Sequence, residues 1–352
     1  MRPDTSDDES PLTGRWLNGR YYVGEKVGAG GMGTLYRAHD RQENADVAIK
    51  VLSPELADDP VQRERFLREV MAGRRLRHPN VAEVLAHGED QGAVYLVMEF
   101  LVGRTLAECV RGQRLGALDA LSVLMPVVHA LGFAHARGVV HRDVKPANIF
   151  ITDEGPAAER VKLLDFGVAR ILSEHTITAA REVLGTMSYL SPEQCRGERA
   201  THLSDLYSFG VTLFETLAGR TPFEGSVEKV LVAHAITPPP RLRALVPDVP
   251  EALDAIVDRL LAKDPAARHP DAGSLARELD AVVRALSPTV SALGAAPSSP
   301  PEDEARTLDT LMREHHAEVQ EIRRLDQELQ ARRARLANLE RRIHEVKARL
   351  RR

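Results

Sequence analysis

The chain has 352 residues, 43% of them hydrophobic and 28% charged, with a formal net charge of −4. These figures suit a globular protein of two modest domains or of one large one plus appendages, and the near-balanced charge argues against nucleic acid or an anionic membrane as the main partner. Cys109 and Cys195 fit no metal or disulfide spacing, so both read as ordinary thiols in a reducing compartment.

Residues 1–15 are polar and acidic and are expected to be disordered, with neither a signal nor a transit peptide. From residue 16 to 101 the chain reads mainly as short strands with one helix. Runs such as Val47-Ala48-Ile49-Lys50-Val51-Leu52 and Ala93-Val94-Tyr95-Leu96-Val97-Met98 are rich in strand formers. The single helix is expected over 61–76, where Phe66, Leu67 and Val70 form an apolar stripe. From 102 to 286 helical patterns dominate, for example 121–136 and 204–218. No uninterrupted apolar run reaches the roughly 18–20 residues needed to span a bilayer. No membrane span and a cytoplasmic location are therefore expected. Residues 287–305 lose periodicity and turn rich in Ser, Ala and Pro, as a linker does. Residues 306–352 are rich in Leu, Arg and Glu and lack Gly and Pro.

The chemistry concentrates in His141-Arg142-Asp143-Val144-Lys145-Pro146-Ala147-Asn148 and, downstream, Asp165-Phe166-Gly167. Phosphoryl transfer from ATP needs a carboxylate to take the acceptor's proton and oxygen ligands for Mg²⁺ on the phosphates. Two weaker signals precede this one. Gly28-Ala29-Gly30-Gly31-Met32-Gly33, between two predicted strands, suits a backbone closing over phosphates, although alone it fits any tight hairpin. Lys50 ends a strand, and Glu69 in the next helix could face it; taken singly, each also reads as a surface charge.

Together these residues resemble the protein kinase superfamily, specifically the bacterial Hanks-type serine/threonine kinases, over about 16–286. The resemblance implies an α+β, bilobal protein kinase fold with a β-rich N-lobe (16–101) and a helical C-lobe (102–286). It implies Asp143 as the base, Lys145 at the γ-phosphate, and Lys50 paired with Glu69 at the α- and β-phosphates. Asn148 and Asp165 would hold Mg²⁺, with Mn²⁺ an alternative. Val27, Gly28, Gly30, Gly33 and Leu35 would cover ATP. Met98 would be the gatekeeper, Glu99 to Leu101 the adenine-binding hinge, and Ala48 and Phe150 the two sides of the adenine slot. Lys145-Pro146 matches the Ser/Thr class, so protein substrates are implied. Glu193, in Ser191-Pro192-Glu193 where the family has Ala-Pro-Glu, would pair with Arg268. Asp205 would hydrogen-bond the catalytic-loop backbone, and Thr186 would contact Asp143 and Lys145. A nucleotide-binding pseudokinase scaffold and a small-molecule kinase are the alternatives. The complete residue set speaks against the first, and Lys145 with the peptide-platform segment 185–193 against the second.

The same resemblance makes Arg142 a receiver for a phosphate on Thr176 or Thr178, coupling autophosphorylation to order in residues 165–193. Gly73 departs from the pattern: a larger apolar residue commonly stands four positions after the helix glutamate. Glycine there predicts a loosely held helix, unless a neighbouring side chain fills the gap.

In 306–352, Leu308, His315, Ile322, Leu329, Leu336, Ile343 and Leu350 fall at a positions. Leu311, Glu318, Leu325, Arg332, Leu339 and Val346 fall at d, a seam that predicts a coiled coil. An antiparallel pair sets Glu314 against Arg349, Glu321 against Arg342 and Glu328 against Arg335. A parallel pair would set Glu318 and Arg332 each against itself. An antiparallel homodimer is therefore expected, with packing back on the kinase domain, a helix of another protein, or a free charged helix left open.

Overall fold

The computed structural model describes residues 12–30, 33–156, 159–166 and 187–286. Within the helix Pro60–Gly73, the side chains of Gln62, Arg65, Arg68, Glu69 and Ala72 lie outside that description, as does the coiled coil expected over 306–352.

The N-terminal part is a six-stranded antiparallel sheet in the order β1-β2-β3-β4-β6-β5. Its strands are β1 (Trp16–Leu17), β2 (Tyr21–Gly30), β3 (Gly33–Asp40), β4 (Ala45–Leu52), β5 (Val84–Asp90) and β6 (Ala93–Glu99). Because residues along a strand alternate between faces, register decides what meets what. Ile49 lies across from Tyr36 and Val97, Val47 across from Ala38, and Val51 across from Tyr95. These residues are buried together with Leu17, Tyr21 and Val23. The opposite face then carries Lys50 across from Leu35 and Leu96, and Ala48 across from Met98.

Two helices follow β4 where the sequence predicted one: a single turn α1 (Pro54–Ala57) and α2 (Pro60–Gly73). Pro54 and Pro60 each open a helix, where a missing N–H costs nothing. The stripe of α2, Phe66 and Val70, packs on Leu52, Val94 and Leu96, on the same sheet face as Lys50. Order also begins earlier than residue 16. Gly14 donates its N–H to the Val23 carbonyl and Val23 donates back to that of Arg15, so the first strand pair extends toward the terminus.

The second part holds a small sheet, β7 (Gly103–Thr105), β8 (Ile149–Thr152) and β9 (Val161–Leu163), and a helical core. The helices are α3 (Leu106–Cys109), α4 (Ala117–His135), α5 (Pro192–Cys195), α6 (His202–Ala218), α7 (Val227–Ile236), α8 (Leu242–Leu245), α9 (Glu251–Leu260) and α10 (Ala272–Leu286). Although Asp119 and His129 interrupt its apolar run, α4 is long and apolar enough to cross a membrane by length and composition. Its Leu121, Leu124, Val128 and Leu131 are instead fully packed in the core of this unit, which explains the composition without a bilayer.

Helix α6 is buried along nearly its whole length. Thr201 caps it, and Ser208, Thr212 and Thr216 return their hydroxyls to the carbonyls four residues back, so burial leaves those groups satisfied. A Cβ on Gly210 would lie 2.6 Å from the Leu260 Cβ. Only glycine lets α6 and α9 approach this closely.

Candidate active site

Asp143, Lys145 and Asn148 are brought together by local geometry. A single 3₁₀ turn (Pro146–Asn148) follows Lys145 and returns the chain. The Asn148 amide donates to the Asp143 carbonyl at 2.8 Å and to its Oδ2 at 2.9 Å. The Lys145 ammonium lies 2.8 Å from the same carboxylate.

Helix α6 holds this loop from beneath. Asp205, fully buried, accepts the His141 N–H at 2.8 Å and the Arg142 N–H at 2.7 Å. Arg142 has φ +71°, a left-handed conformation costly for a side chain of its size. Two amide bonds to one buried carboxylate offset that cost. His135 from α4 adds a third contact, 2.7 Å from Asp205, that sequence reading missed; a histidine inside a helical pattern carries no local signal.

His141 links this loop to the next one. Its Nε2 lies 2.7 Å from the Leu164 carbonyl and its Nδ1 accepts the Asp143 N–H, which assigns the proton to Nε2. Its ring stacks edge-on against Phe166 at 4.6 Å. Asp165, also left-handed at φ +54°, accepts Lys50 Nζ at 2.6 Å. Burial acts to raise the Asp165 carboxyl, but Lys50, with help from His141 and Lys145, holds it below the usual carboxylate range. Lys50 was expected to face Glu69. The structure gives it Asp165 as a partner, while the Glu69 side chain lies outside the described residues.

Several of the residues expected at the nucleotide share one sheet face. Leu35, Ala48, Lys50 and Met98 share it through register, and Phe150 rises from β8 between Thr105 and Lys162. Gly30 pairs with Gly33, where a Cβ would sit 1.9 Å from the Val51 carbonyl oxygen at φ +149°. Position 33 therefore accepts only glycine. Val27 is exposed and Gly28 half-buried. Glu99 donates its N–H to the Glu83 carbonyl, and Leu101, two residues on, is half-buried. Gly31, Met32, Thr176, Thr178 and Thr186 lie outside the described residues.

The platform beyond is tied by Arg268 and Glu193, a buried bidentate pair at 2.8 and 2.9 Å. Ser204 also donates to Glu193 at 2.7 Å. Burial opposes ionisation of Glu193, yet Arg268 and Ser204 hold it below its ordinary range. The Asp143–Lys145–Asn148 cluster, the Lys50–Asp165 pair and the tied Glu193–Arg268 pair are the polar groups that the fold assembles here.

The chain belongs to the protein kinase family. Its residues 21–277 match the protein kinase domain, and its relatives place it with the bacterial Hanks-type members. It is 38% identical to serine/threonine-protein kinase PrkC of Bacillus subtilis over 270 residues, 76% of this chain and 41% of that protein. It is 39% identical to serine/threonine-protein kinase PknA of Mycobacterium tuberculosis over 280 residues, 78% of this chain and 63% of that one. The chain thus spans less than two thirds of either relative. The crystal structure of the Mycobacterium tuberculosis PknI kinase domain superposes with a TM-score of 0.63 at 29% identity, covering 77% of this chain and 99% of that one.

An oxygen donor set suits a hard divalent cation such as Mg²⁺ or Mn²⁺. The Asn148 amide nitrogen is committed to Asp143, which turns its carbonyl oxygen the other way, and the low Asp165 pKa keeps that carboxylate ionised. Among the described residues no cluster of three His, Cys, Asp or Glu side chains suits a metal. Asn148 and Asp165 therefore fit a cation that takes its remaining ligands from phosphates and water.

Proposed function

We propose that this chain transfers the γ-phosphate of ATP to serine or threonine hydroxyls of proteins. The observation that carries the reading is the Asp143–Lys145–Asn148 cluster together with the Asp165 carboxylate of the same part, which holds Lys50 from the N-terminal sheet. Asp143 accepts the proton of the attacking hydroxyl. Lys145, already at the same carboxylate, neutralises charge growing on the γ-phosphate. Lys50 takes the α- and β-phosphates, with Glu69 as its partner on α2. Asn148 and Asp165 hold the cation, which when bound screens the phosphates. Catalysis by such a site is mainly positioning and charge stabilisation. Val27, Gly28, Gly30, Gly33 and Leu35 cover the nucleotide, Ala48 and Phe150 sandwich adenine, and Glu99 and Leu101 offer backbone groups beside gatekeeper Met98.

Phosphorylation of Thr176 or Thr178, read by Arg142, would regulate the site, and residues 306–352 would pair as an antiparallel homodimer. The heptad seam and complementary g-position charges support the second point. Use of ATP fits a kinase domain in the cytoplasm. The decisive comparison is ³²P transfer from labelled ATP by wild type and Asp143→Asn. Losing the base should cut kcat by about 10²–10⁴-fold while nucleotide binding persists. Equal transfer by both proteins would refute the assignment.

A further inference from the structure

Between Met98 and the small sheet lies a polar contact that the phosphoryl-transfer chemistry does not use. Lys162, the middle residue of β9, donates from Nζ to Glu99 Oε1 at 3.0 Å and Oε2 at 3.3 Å. The same Oε1 accepts the Glu83 N–H at 2.9 Å. Glu83 in turn takes the Glu99 N–H on its carbonyl. Both ion-pair partners are largely covered, with side chains 17% and 27% exposed.

The strand around Lys162 explains what this contact joins. Val161 and Leu163 are buried and point away from Lys162, as alternation requires. The backbone at those two residues binds the loop after α2. Asn80 Nδ2 donates to the Val161 carbonyl at 2.9 Å, Ala82 donates to that of Leu163 at 3.0 Å, and Leu163 donates to that of Asn80 at 2.9 Å. The segment Asn80 to Glu83 is therefore seated on β9 although it leads into β5 of the other sheet. On its opposite face, β9 sets Lys162 directly across from Phe150. Opposed residues of an antiparallel pair have Cβ atoms about 4.5–5.5 Å apart. The lysine stem thus flanks Phe150 while its tip grips the first hinge residue.

We propose that Lys162 is a positioning residue for the nucleotide. It fixes the hinge at Glu99 and the floor at Phe150 in one register, and so sets the width of the adenine slot. Two residues beyond β9 the chain reaches Asp165. One short strand consequently sets the distance from the adenine end of the site to its phosphate end. Lysine suits this position because its carbon stem covers the aromatic ring while the charge reaches the carboxylate.

This inference rests on the proposed ATP site, so the test separates the two. Binding of a fluorescent N-methylanthraniloyl-ADP is titrated for wild type, Lys162→Met and Lys162→Arg, with Glu99→Gln as a second route to the same break. Methionine keeps the stem and removes the charge. Nucleotide Kd and KM for ATP should rise about fivefold, the factor at the upper end for ion pairs that keep some contact with water. The kcat at saturating ATP should change less than twofold, the peptide KM should stay constant, and Lys162→Arg should restore most of the affinity. Wild-type affinity in both Lys162→Met and Glu99→Gln would overturn the proposal, as would a loss confined to kcat. Failure of wild type to bind the probe at all would instead overturn the ATP site itself.

Discussion

Replacing Gly73 by alanine should make this protein more stable. Gly73 ends α2, is buried, and has a φ outside the left-handed region, so a side chain meets no backbone strain. A Cβ built there lies 3.7 Å from Val84 Cγ2 and 3.9 Å from the Phe166 carbonyl oxygen, both ordinary van der Waals contacts. It enters a small cavity of about 20 Å³ lined by Val70, Val84, Leu96, Met98 and Phe166. Two contributions add. Glycine costs a helix up to about 1 kcal/mol relative to alanine, less at its last residue, and a buried methyl contributes about 0.8 kcal/mol. A gain of about 1–1.5 kcal/mol corresponds to a rise in Tm of about 2–6 °C for a domain of this size. Thermal unfolding of nucleotide-free protein measures it directly. An unchanged or lower Tm would refute the reasoning, because it would mean that the cavity closes around glycine and not around a methyl. Gly73→Leu tests the kinetic half. Its extra carbons exceed the open volume and must press on Val84 or Phe166, so its Tm gain should be smaller than alanine's. A loosely held α2 predicts a severalfold rise in basal activity of the unphosphorylated enzyme; unchanged activity would remove that idea.

Glu193→Ala should cost about 3–5 kcal/mol, because it leaves the Arg268 charge buried without its partner. Adding Arg268→Met should recover part of the loss in urea unfolding. The Glu193 pKa is depressed on folding, so its contribution holds above the unfolded value and fades as pH falls through the folded one. His234 is buried beside Tyr207, and burial, with Lys263 nearby, lowers its pKa to about 4. The unfolded chain then binds the extra proton first, so stability should decline as pH drops from about 6.5 toward 4. His234→Gln should flatten that slope in unfolding curves taken across the window. For residues 306–352, paired cysteines at Leu308 should crosslink poorly in an antiparallel dimer; efficient Leu308–Leu308 crosslinking would sink that arrangement.

The parts of the site that were readable from sequence are those made by neighbours along the chain. Asp143, Lys145 and Asn148 lie within six residues, and one 3₁₀ turn converts their spacing into contact. The strand runs declared themselves because alternate residues must face a core, although the pattern alone did not say which face Lys50 would take. The Glu193–Arg268 and Asp205 contacts were reached only through family resemblance, since 75 residues separate the first pair and 63–64 separate Asp205 from the amides it holds. His135 and Lys162 escaped altogether. A histidine within a helix and a lysine within a strand look like ordinary exposed positions until their elements pack. Sequence by itself determined the candidate groups and the elements that carry them, because spacing and periodicity are local properties of a chain. Tertiary structure alone decided that Lys50 meets Asp165 across 115 residues, that Asp205 holds Arg142 in a left-handed turn, and that Lys162 reaches Glu99. Those contacts depend on register and on helix packing, which no short stretch of sequence encodes.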